Sequence, residues 1–381
     1  MPDLAARLAD TVGGFPIHGR MLMRYSLFAP RLYNLCKRLG FRPGRMLPSR
    51  AFCSDESQGY PVILLAKHFG AFPFNHGRVG GVVSTDRHRP HADHGEDLVL
   101  LQASHVGFDP ETGLFGDYRR LQTEACVVTP TCGKLDAILG WYLEEHRFAR
   151  DNVGLQRDGE RVWVTIDNQL LREERPEGLV LRLDRLLAGG AEGLTPNRIL
   201  STAKTFAAAP GFAAGLDLER VPGDRPRPIG DDLTPELFSY HHVIGEDDEG
   251  RRHLERNLIR FMPHIVTAPA PLLMAAQLNT QVEFDRTFRS IVREHAYSNK
   301  RLLFVSGLHI DISPQPGQLF PLTKFVPWAA YLQQPDGGHR IIEQEELVEL
   351  LRAESTENPD QVDLEAAIAQ MAAAREVQIP F

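Results

Sequence analysis

The sequence predicts an α/β protein. Three short apolar runs, at residues 62–66, 98–101 and 302–305, have the composition of buried strands, and helical patterns lie between them and at both ends. Strands separated by helices indicate a sheet layered with helices. The 381 residues are 43% apolar and 24% charged, so enough apolar side chain is present for a sizeable core.

The first half of the chain contains two of these runs. Residues 4–39 have apolar positions at three- and four-residue steps, which predicts helix, and Pro43 and Pro48 end this region. The run 62–66 predicts a strand followed by a loop rich in Gly and Pro. The run 98–101 is continuously apolar, as in a strand buried on both faces.

The remaining elements follow from Gly133 onward. A helix is predicted directly after Cys132, and a hydroxyl followed by proline predicts helix starts at Thr195 and Thr234. After the strand at 302–305, the composition beyond Gly338 predicts two terminal helices. We therefore divide the chain into an N-terminal helical segment (1–48), a main domain (49–338) and a C-terminal helical extension (339–381).

The composition excludes several classes of partner. The formal net charge is -8 and no Lys/Arg-rich run is present, so we expect no nucleic acid. No segment approaches the roughly 20 apolar residues of a membrane span, and we expect none. The first residues lack an export-signal pattern, which predicts a cytoplasmic protein. Four dispersed cysteines are too few for a disulfide scaffold.

Cys53, His105 and Cys132 could form a zinc site. A catalytic zinc needs three protein ligands and one open position, and thiolate and imidazole are suitable donors. Each of the three residues lies at the end of a predicted element, and Cys132 precedes a helix start, which favours its thiolate. Spacing alone does not decide, because isolated cysteines are usually buried hydrophobes. Cys132 could also be a nucleophile with His105 as its base and no metal.

The segments around these residues resemble one protein family, the limiting-CO2-inducible protein B/C family, which is similar in fold and site to the β-carbonic anhydrases. The resemblance covers residues from about 50 to 330. The segments that carry it are Cys53-Ser54-Asp55-Glu56, Phe72-Pro73-Phe74 with Gly77 and Gly80, LVLLQASHVGFDPETGLFGDYRR, Thr131-Cys132-Gly133, RLLFVSGLHIDIS and LFPLTKF.

This resemblance implies a β-carbonic anhydrase-like central sheet flanked by helices, with extra N- and C-terminal helices, and makes 49–338 the zinc domain. It implies Zn²⁺ bound by Cys53, His105 and Cys132. Asp55 matches the aspartate of the Cys-x-Asp-x-Arg motif, whereas Ser57 stands where that motif has arginine. Arg119 or Arg120 is our candidate to replace that arginine.

The implied activity is reversible hydration of carbon dioxide to bicarbonate by zinc-bound hydroxide, in a homodimer. Two alternatives keep the fold. One is a non-catalytic zinc protein that acts through partner binding in inorganic-carbon uptake, with the fourth zinc position filled by Asp55. The other is a hydrolase of a CO2-like substrate such as carbonyl sulfide or carbon disulfide.

Further residues have provisional roles. Carbon dioxide is small and uncharged, so we expect a narrow apolar substrate pocket. Four residues in the matching segments could line it: Val106, Phe108, Phe72 and Phe74. His76, or the loop cluster of His88, His91 and His94, could carry protons away from the site. We interpret His241, His242 and Asp311 as structural.

Overall fold

Helices and strands alternate along the chain in a computed structural model that describes residues 4–77, 81, 97–120, 127–171, 177–189, 194–245, 249–318 and 320–379. The α-helices are α1 (Leu4–Gly13), α2 (Tyr25–Arg38), α3 (Gly59–Phe69), α4 (Gly133–Asn152), α5 (Leu183–Leu186), α6 (Pro210–Ala214), α7 (Glu249–Leu258), α8 (Met262–Val266), α9 (Pro271–Arg293), α10 (Gln344–Ala353) and α11 (Leu364–Ala372). The strands are β1 (Met23–Arg24), β2 (Met46–Ala51), β3 (Phe74–Asn75), β4 (Asp97–Asp109), β5 (Leu114–Phe115), β6 (Asp117–Arg119), β7 (Val128–Pro130), β8 (Val153–Asp158), β9 (Arg161–Asp167), β10 (Gly178–Leu181), β11 (Arg198–Ile199), β12 (Ala203–Ala207), β13 (Arg227–Pro228), β14 (Phe238–His241), β15 (Arg301–Ile312), β16 (Leu322–Gln333) and β17 (His339–Ile342).

The chain is divided into two compact units. The first unit combines Met1–Gly14 with Lys134–Leu278, and the second combines Phe15–Gly133 with Asn279–Phe381. Each unit is therefore built from separate stretches of chain. The predicted division at residues 48 and 338 follows other bounds and stays a prediction about how the chain is organised.

The second unit is organised around a mixed sheet. Its strand order is β1-β16-β15-β4-β2-β3, with β17 paired to β16 and β5 paired to β4. Strand β4 runs parallel to both β15 and β2, whereas β15 and β16 are antiparallel. Helices flank this central sheet, so the predicted α/β class is confirmed.

Both faces of the central sheet are covered. On one face, Leu100 and Phe304 form a core cluster with Phe284 of α9. On the other face, α2 packs against β16, and the rings of Phe28 and Phe325 lie 4.1 Å apart. Strands with two covered faces read as continuous apolar runs. This explains why the predictions around 98–101 and 302–305 are confirmed.

Those two strands are longer than their apolar centres. Strand β4 extends from Asp97 to Asp109, and β15 extends from Arg301 to Ile312. The prediction that His105 follows its strand is therefore wrong, because His105 lies inside β4. Polar residues continue these buried strands because their side chains have hydrogen-bond partners: Gln102 accepts from Ser306 and Ser104 accepts from Asn279.

The predicted strand at 62–66 is wrong, because these residues belong to helix α3. Its buried side chains include Pro61, Leu65 and Phe69, spaced as on one helix face, and Gly70 ends it with a left-handed φ of 71°. Short apolar runs do not distinguish buried helix from strand. The strand in this region is β2, which contains Pro48 and was concealed by that proline.

The predictions for the ends of the chain are largely confirmed. Helices α10 and α11 form the predicted terminal helices, and α4 begins at Gly133 as expected. The N-terminal helical region is divided into α1 and α2, with the two-residue strand β1 between them.

The first unit contains an antiparallel five-stranded sheet with the order β11-β12-β9-β8-β13, and a separate pair, β10-β14. The helix predicted at Thr195 is absent, since the described residues there lead into β11. Thr234 precedes a single 3-10 turn, Pro235–Leu237. Within the described ranges, no helix is both long and apolar enough to cross a membrane.

Candidate metal centre

Three side chains converge in the second unit: Cys53, His105 and Cys132. Cys53 follows β2, His105 lies in β4, and Cys132 lies between β7 and α4. Their candidate ligand atoms all lie within 4.8 Å of one another, and all three residues are buried. This Cys-His-Cys group could hold a metal ion.

The sulfur geometry matches two ligands of one metal. The Sγ atoms of Cys53 and Cys132 are 3.9 Å apart, and neither cysteine forms a disulfide in the described part of the chain. Two thiolates bound tetrahedrally at about 2.3 Å from one zinc ion would stand about 3.8 Å apart. A disulfide would bring the sulfurs to about 2.05 Å.

His105 is oriented by a buried carboxylate. Its Nδ1 lies 3.0 Å from Oδ2 of Asp311, and both side chains are fully buried. When Nδ1–H donates to Asp311, the lone pair is on Nε2. This Nε2 is buried and has no hydrogen-bond partner among the described residues. A carboxylate behind the imidazole and an unpartnered nitrogen in front is the arrangement of a metal-ligating histidine.

Asp311 is the centre of a small polar network. Its Oδ2 also accepts hydrogen bonds from Ser57 Oγ at 2.9 Å and Gln58 Nε2 at 2.7 Å, and its Oδ1 accepts from Thr323 Oγ1 at 3.0 Å. These donors compensate for burial of the carboxylate. From sequence, Asp311 was predicted to be structural and no role was predicted for Ser57. Polar residues at alternate positions of the apolar strand β15 were the available signal.

The pKa values at the site differ from the sequence expectation for Cys132. The hydrogen bond with Cys53, together with burial, raises the pKa of Cys132 to about 12, so these effects outweigh the expected influence of the helix start. Burial lowers the pKa of His105, but the charge of Cys132 and the hydrogen bond to Asp311 outweigh it and hold that pKa well above its usual value. A metal cation must displace protons to bind here.

The two candidate arginines have different contacts. Arg120 Nη2 lies 3.6 Å from Asp55 Oδ2, and Arg120 also contacts Glu56 and donates to Thr129 Oγ1 at 2.8 Å. Arg119 instead pairs with Asp109 at 3.2 Å and with Glu111. The structure therefore brings Arg120 to Asp55 and directs Arg119 to other carboxylates.

Tyr118 is a further residue of this region that sequence reasoning missed. Its side chain is buried, and the guanidinium carbon of Arg120 lies 5.6 Å from its ring centroid. Burial raises the pKa of Tyr118, with added contributions from the charges of Asp311 and Asp55. The phenol therefore belongs to the same electrostatic environment as the candidate ligands.

The residues expected to line an apolar pocket are dispersed. Val106 and Phe108 alternate with His105 along β4, so they point to the opposite face of the sheet. Phe72 is 74% exposed and Phe74 is also exposed. These positions do not form the narrow apolar wall that the sequence analysis predicted.

The histidines proposed as proton carriers have mixed outcomes. His76 is buried, and burial lowers its pKa to about 3, so it stays neutral and is unsuited to accept protons near neutral pH. His88, His91 and His94 lie outside the described residues. His242 Nδ1 lies 2.9 Å from the buried carboxylate of Glu255 in the first unit, which fits the structural role assigned to it.

The described residues thus form an α/β protein with a buried Cys-His-Cys group. No protein-family model matches the sequence, and no curated protein matches it. Among solved structures, the chain is similar to PtLCIB4, a homologue of the limiting CO2-inducible protein LCIB, with a TM-score of 0.48 and 11% identity over 89% of this chain and 99% of that chain. It is also similar to the limiting CO2-inducible protein LCIB, with a TM-score of 0.43 and 13% identity over 86% of this chain and 96% of that chain. These solved structures are those of the family that the sequence segments resemble, and at this level the likeness concerns the fold.

Proposed function

We propose that this protein holds one zinc ion between Cys53, His105 and Cys132 and uses it to interconvert carbon dioxide and bicarbonate. The observation that carries the proposal is the convergence of two thiols and one imidazole, with His105 Nε2 buried and unpartnered in the described part of the chain. Two sulfurs and one nitrogen are a zinc donor set, and three protein ligands leave a fourth position for substrate.

Bound zinc would supply Lewis acidity and lower the pKa of a water ligand toward about 7, so that a nucleophile is available at neutral pH. The residues around it have separate tasks. Asp311 accepts the Nδ1 proton of His105 and holds the imidazole in one orientation. Asp55, beside the Arg120 guanidinium, would accept a hydrogen bond from the attacking water and orient its lone pair. The segments that resemble β-carbonic anhydrase-like proteins support this assignment.

The test is zinc content measured together with activity. Bound zinc and stopped-flow carbon dioxide hydration would be measured for the wild type and for Cys53→Ser, His105→Ala and Cys132→Ser. Cys36→Ser is the matched control, because Cys36 is equally buried in α2 and lies outside the metal group. We expect one zinc per chain in the wild type and control, and loss of zinc and hydration in the three ligand variants.

A second candidate is a zinc protein without turnover that acts by binding a partner. The observation that favours it is the sharing of Arg120 between Asp55 and Glu56, which divides the interaction that a catalytic Asp–Arg pair would need. Zinc retained without hydration of carbon dioxide would favour this candidate. The same samples assayed with carbonyl sulfide and carbon disulfide would identify a hydrolase of a CO2-like substrate.

The assembly and location of the protein are further parts of the proposal. We expect a homodimer, as the family resemblance implies, and a cytoplasmic location. Sedimentation velocity at several protein concentrations would reveal a dimer, and a single species at the mass of one 381-residue chain would contradict it.

A further inference from the structure

A second imidazole lies beside the candidate ligand. His309 on β15 is directly opposite His105 on β4 in the parallel pairing of the two strands, and both histidines are fully buried. His309 Nδ1 lies 2.6 Å from Oε1 of Gln58. Because Gln58 Nε2 in turn lies 2.7 Å from Asp311 Oδ2, the two histidines are joined through one amide and one carboxylate.

The chemistry of these groups fixes the direction of every hydrogen bond in this chain. The carboxylate of Asp311 accepts, so the NH2 end of the Gln58 amide must face it. The Gln58 oxygen then faces His309 and requires a donor, so His309 carries its proton on Nδ1. If the amide were reversed, its oxygen would face the carboxylate, and two acceptors would be in contact.

Aromatic rings hold His309 in place. Its ring centroid lies 4.7 Å from that of Phe52, 5.1 Å from that of Tyr25 and 5.6 Å from that of Phe325, all at steep interplanar angles. Its Nε2 is buried and makes no hydrogen bond within the described ranges. His309 therefore lies among aromatic rings and makes its hydrogen bond to Gln58. An apolar ring of similar size would fill the same space without burying an unpaired nitrogen, so the presence of histidine requires an explanation.

We propose that His309 and Gln58 are positioning residues for the metal centre, and that they fix the orientation of His105 through Asp311. Donation from His309 prevents the Gln58 amide from turning, the amide holds one oxygen of Asp311, and that oxygen holds His105 Nδ1. This inference rests on the proposed metal site but not on carbon dioxide turnover. The outer partners of a ligating histidine typically change metal affinity by about 10- to 100-fold.

The experiment measures zinc affinity by competition with a chromophoric chelator. His309→Phe keeps an aromatic ring among its neighbours but removes the donor, and we expect about tenfold weaker zinc binding. His309→Asn places an amide N–H near the position of Nδ1 and should recover affinity to within about threefold of the wild type. Gln58→Leu should weaken binding at least as much as His309→Phe.

The double variant separates a relay from independent packing effects. If His309 acts through Gln58, then His309→Phe combined with Gln58→Leu should bind zinc as weakly as Gln58→Leu alone, because the second change removes nothing further. Phe325→Leu is the control for packing, since it alters a neighbouring ring and leaves the hydrogen bonds intact. It should lower thermal stability and leave zinc affinity within about twofold.

Several results would overturn the inference: His309→Phe binding zinc like the wild type, His309→Asn binding no better than His309→Phe, or additive losses in the double variant. If His309→Phe does not fold, Gln58→Leu and His309→Asn still provide the comparison. A wild-type protein that binds zinc but does not hydrate carbon dioxide would refute the proposed activity and leave this test intact. A wild-type protein that binds no zinc would refute both.

Discussion

Replacement of Asp311 by asparagine is the most informative single perturbation of the metal centre. Asparagine has the same shape, and one oxygen can still accept from His105, Ser57 and Gln58 where Oδ2 now lies. The NH2 group would then face Thr323, whose hydroxyl can accept a hydrogen bond. The substitution therefore removes the charge and leaves the hydrogen-bond pattern largely intact.

The expected magnitude follows from the His105 hydrogen bond. A hydrogen bond to a charged partner contributes about 1.5–3 kcal/mol and a neutral one about 0.5–1.5 kcal/mol, so neutralisation should remove about 1–1.5 kcal/mol. That difference corresponds to roughly a tenfold loss of zinc affinity. It agrees with the about 10- to 100-fold range known for outer partners of metal-ligating histidines.

The folding stability of the metal-free protein should not fall with the zinc affinity when Asp311 is replaced by asparagine. Burial raises the pKa of Asp311 in the folded state, although its hydrogen bond with His105 opposes the shift. A carboxyl group with a raised folded pKa contributes stability below its unfolded pKa, and that contribution is lost as the pH rises through the folded pKa. Because asparagine resembles the neutral form, Asp311→Asn should unfold at an equal or higher denaturant concentration than the wild type near neutral pH.

Chelator competition and urea unfolding of the same samples would measure both effects. Asp109→Asn is the control, because Asp109 is also buried at the end of β4 but pairs with Arg119. It should lower stability and leave zinc affinity unchanged. Zinc binding by Asp311→Asn within twofold of the wild type would refute the orienting role of this carboxylate.

Three other predictions address the site and the sheet. Apparent zinc affinity should rise by at least tenfold per pH unit from about pH 6 to 9 without a plateau, because the Cys132 thiol, with a pKa of about 12, must lose its proton on binding, and any further proton displaced from the site adds to the slope. A plateau above about pH 8 in a competition titration would contradict this. Arg120→Ala should slow carbon dioxide hydration, measured by stopped flow, by about 10- to 100-fold, because Arg120 contacts Asp55. Arg119→Ala should slow it by less than about threefold, because Arg119 pairs with Asp109. Equal effects would refute the assignment of Arg120 as the partner of Asp55. Gly307→Ala should lower the free energy of unfolding by about 1–3 kcal/mol, because its new Cβ would collide with the Phe325 ring and lie 2.5 Å from the Val326 carbonyl oxygen. The control is Gly140→Ala, whose Cβ would meet nothing within 4 Å. An unchanged denaturation midpoint for Gly307→Ala would contradict the packing described.

Part of this architecture could be predicted from sequence because continuous apolar runs are typical of strands covered on both faces. The runs centred on Leu100 and Phe304 identified β4 and β15 in this way. Strand β2 escaped prediction because Pro48 interrupts its pattern, and α3 was misassigned because five consecutive apolar residues fit either a strand or a buried helix.

The candidate ligands could be proposed from residue types, whereas their supporting residues could not. Asp311 lies 206 residues from His105 in sequence, and local patterns contain no information about which strands become neighbours. Only the parallel pairing of β4 with β15 brings the carboxylate to the imidazole. Ser57 and Gln58 lie in a short turn, and only the folded chain brings them to Asp311 and His309 on β15, so their roles required the folded structure.

The parallel pairing of β4 and β15 also limits how the chain can be shortened. Residues 15–133 contain Cys53, His105 and Cys132, yet β15 lies far beyond them in sequence. A truncated polypeptide that ends before β15 would keep every sulfur and nitrogen donor and lose the acid group that aims one of them. The proposed centre therefore depends on β15, a strand that supplies no ligand to it.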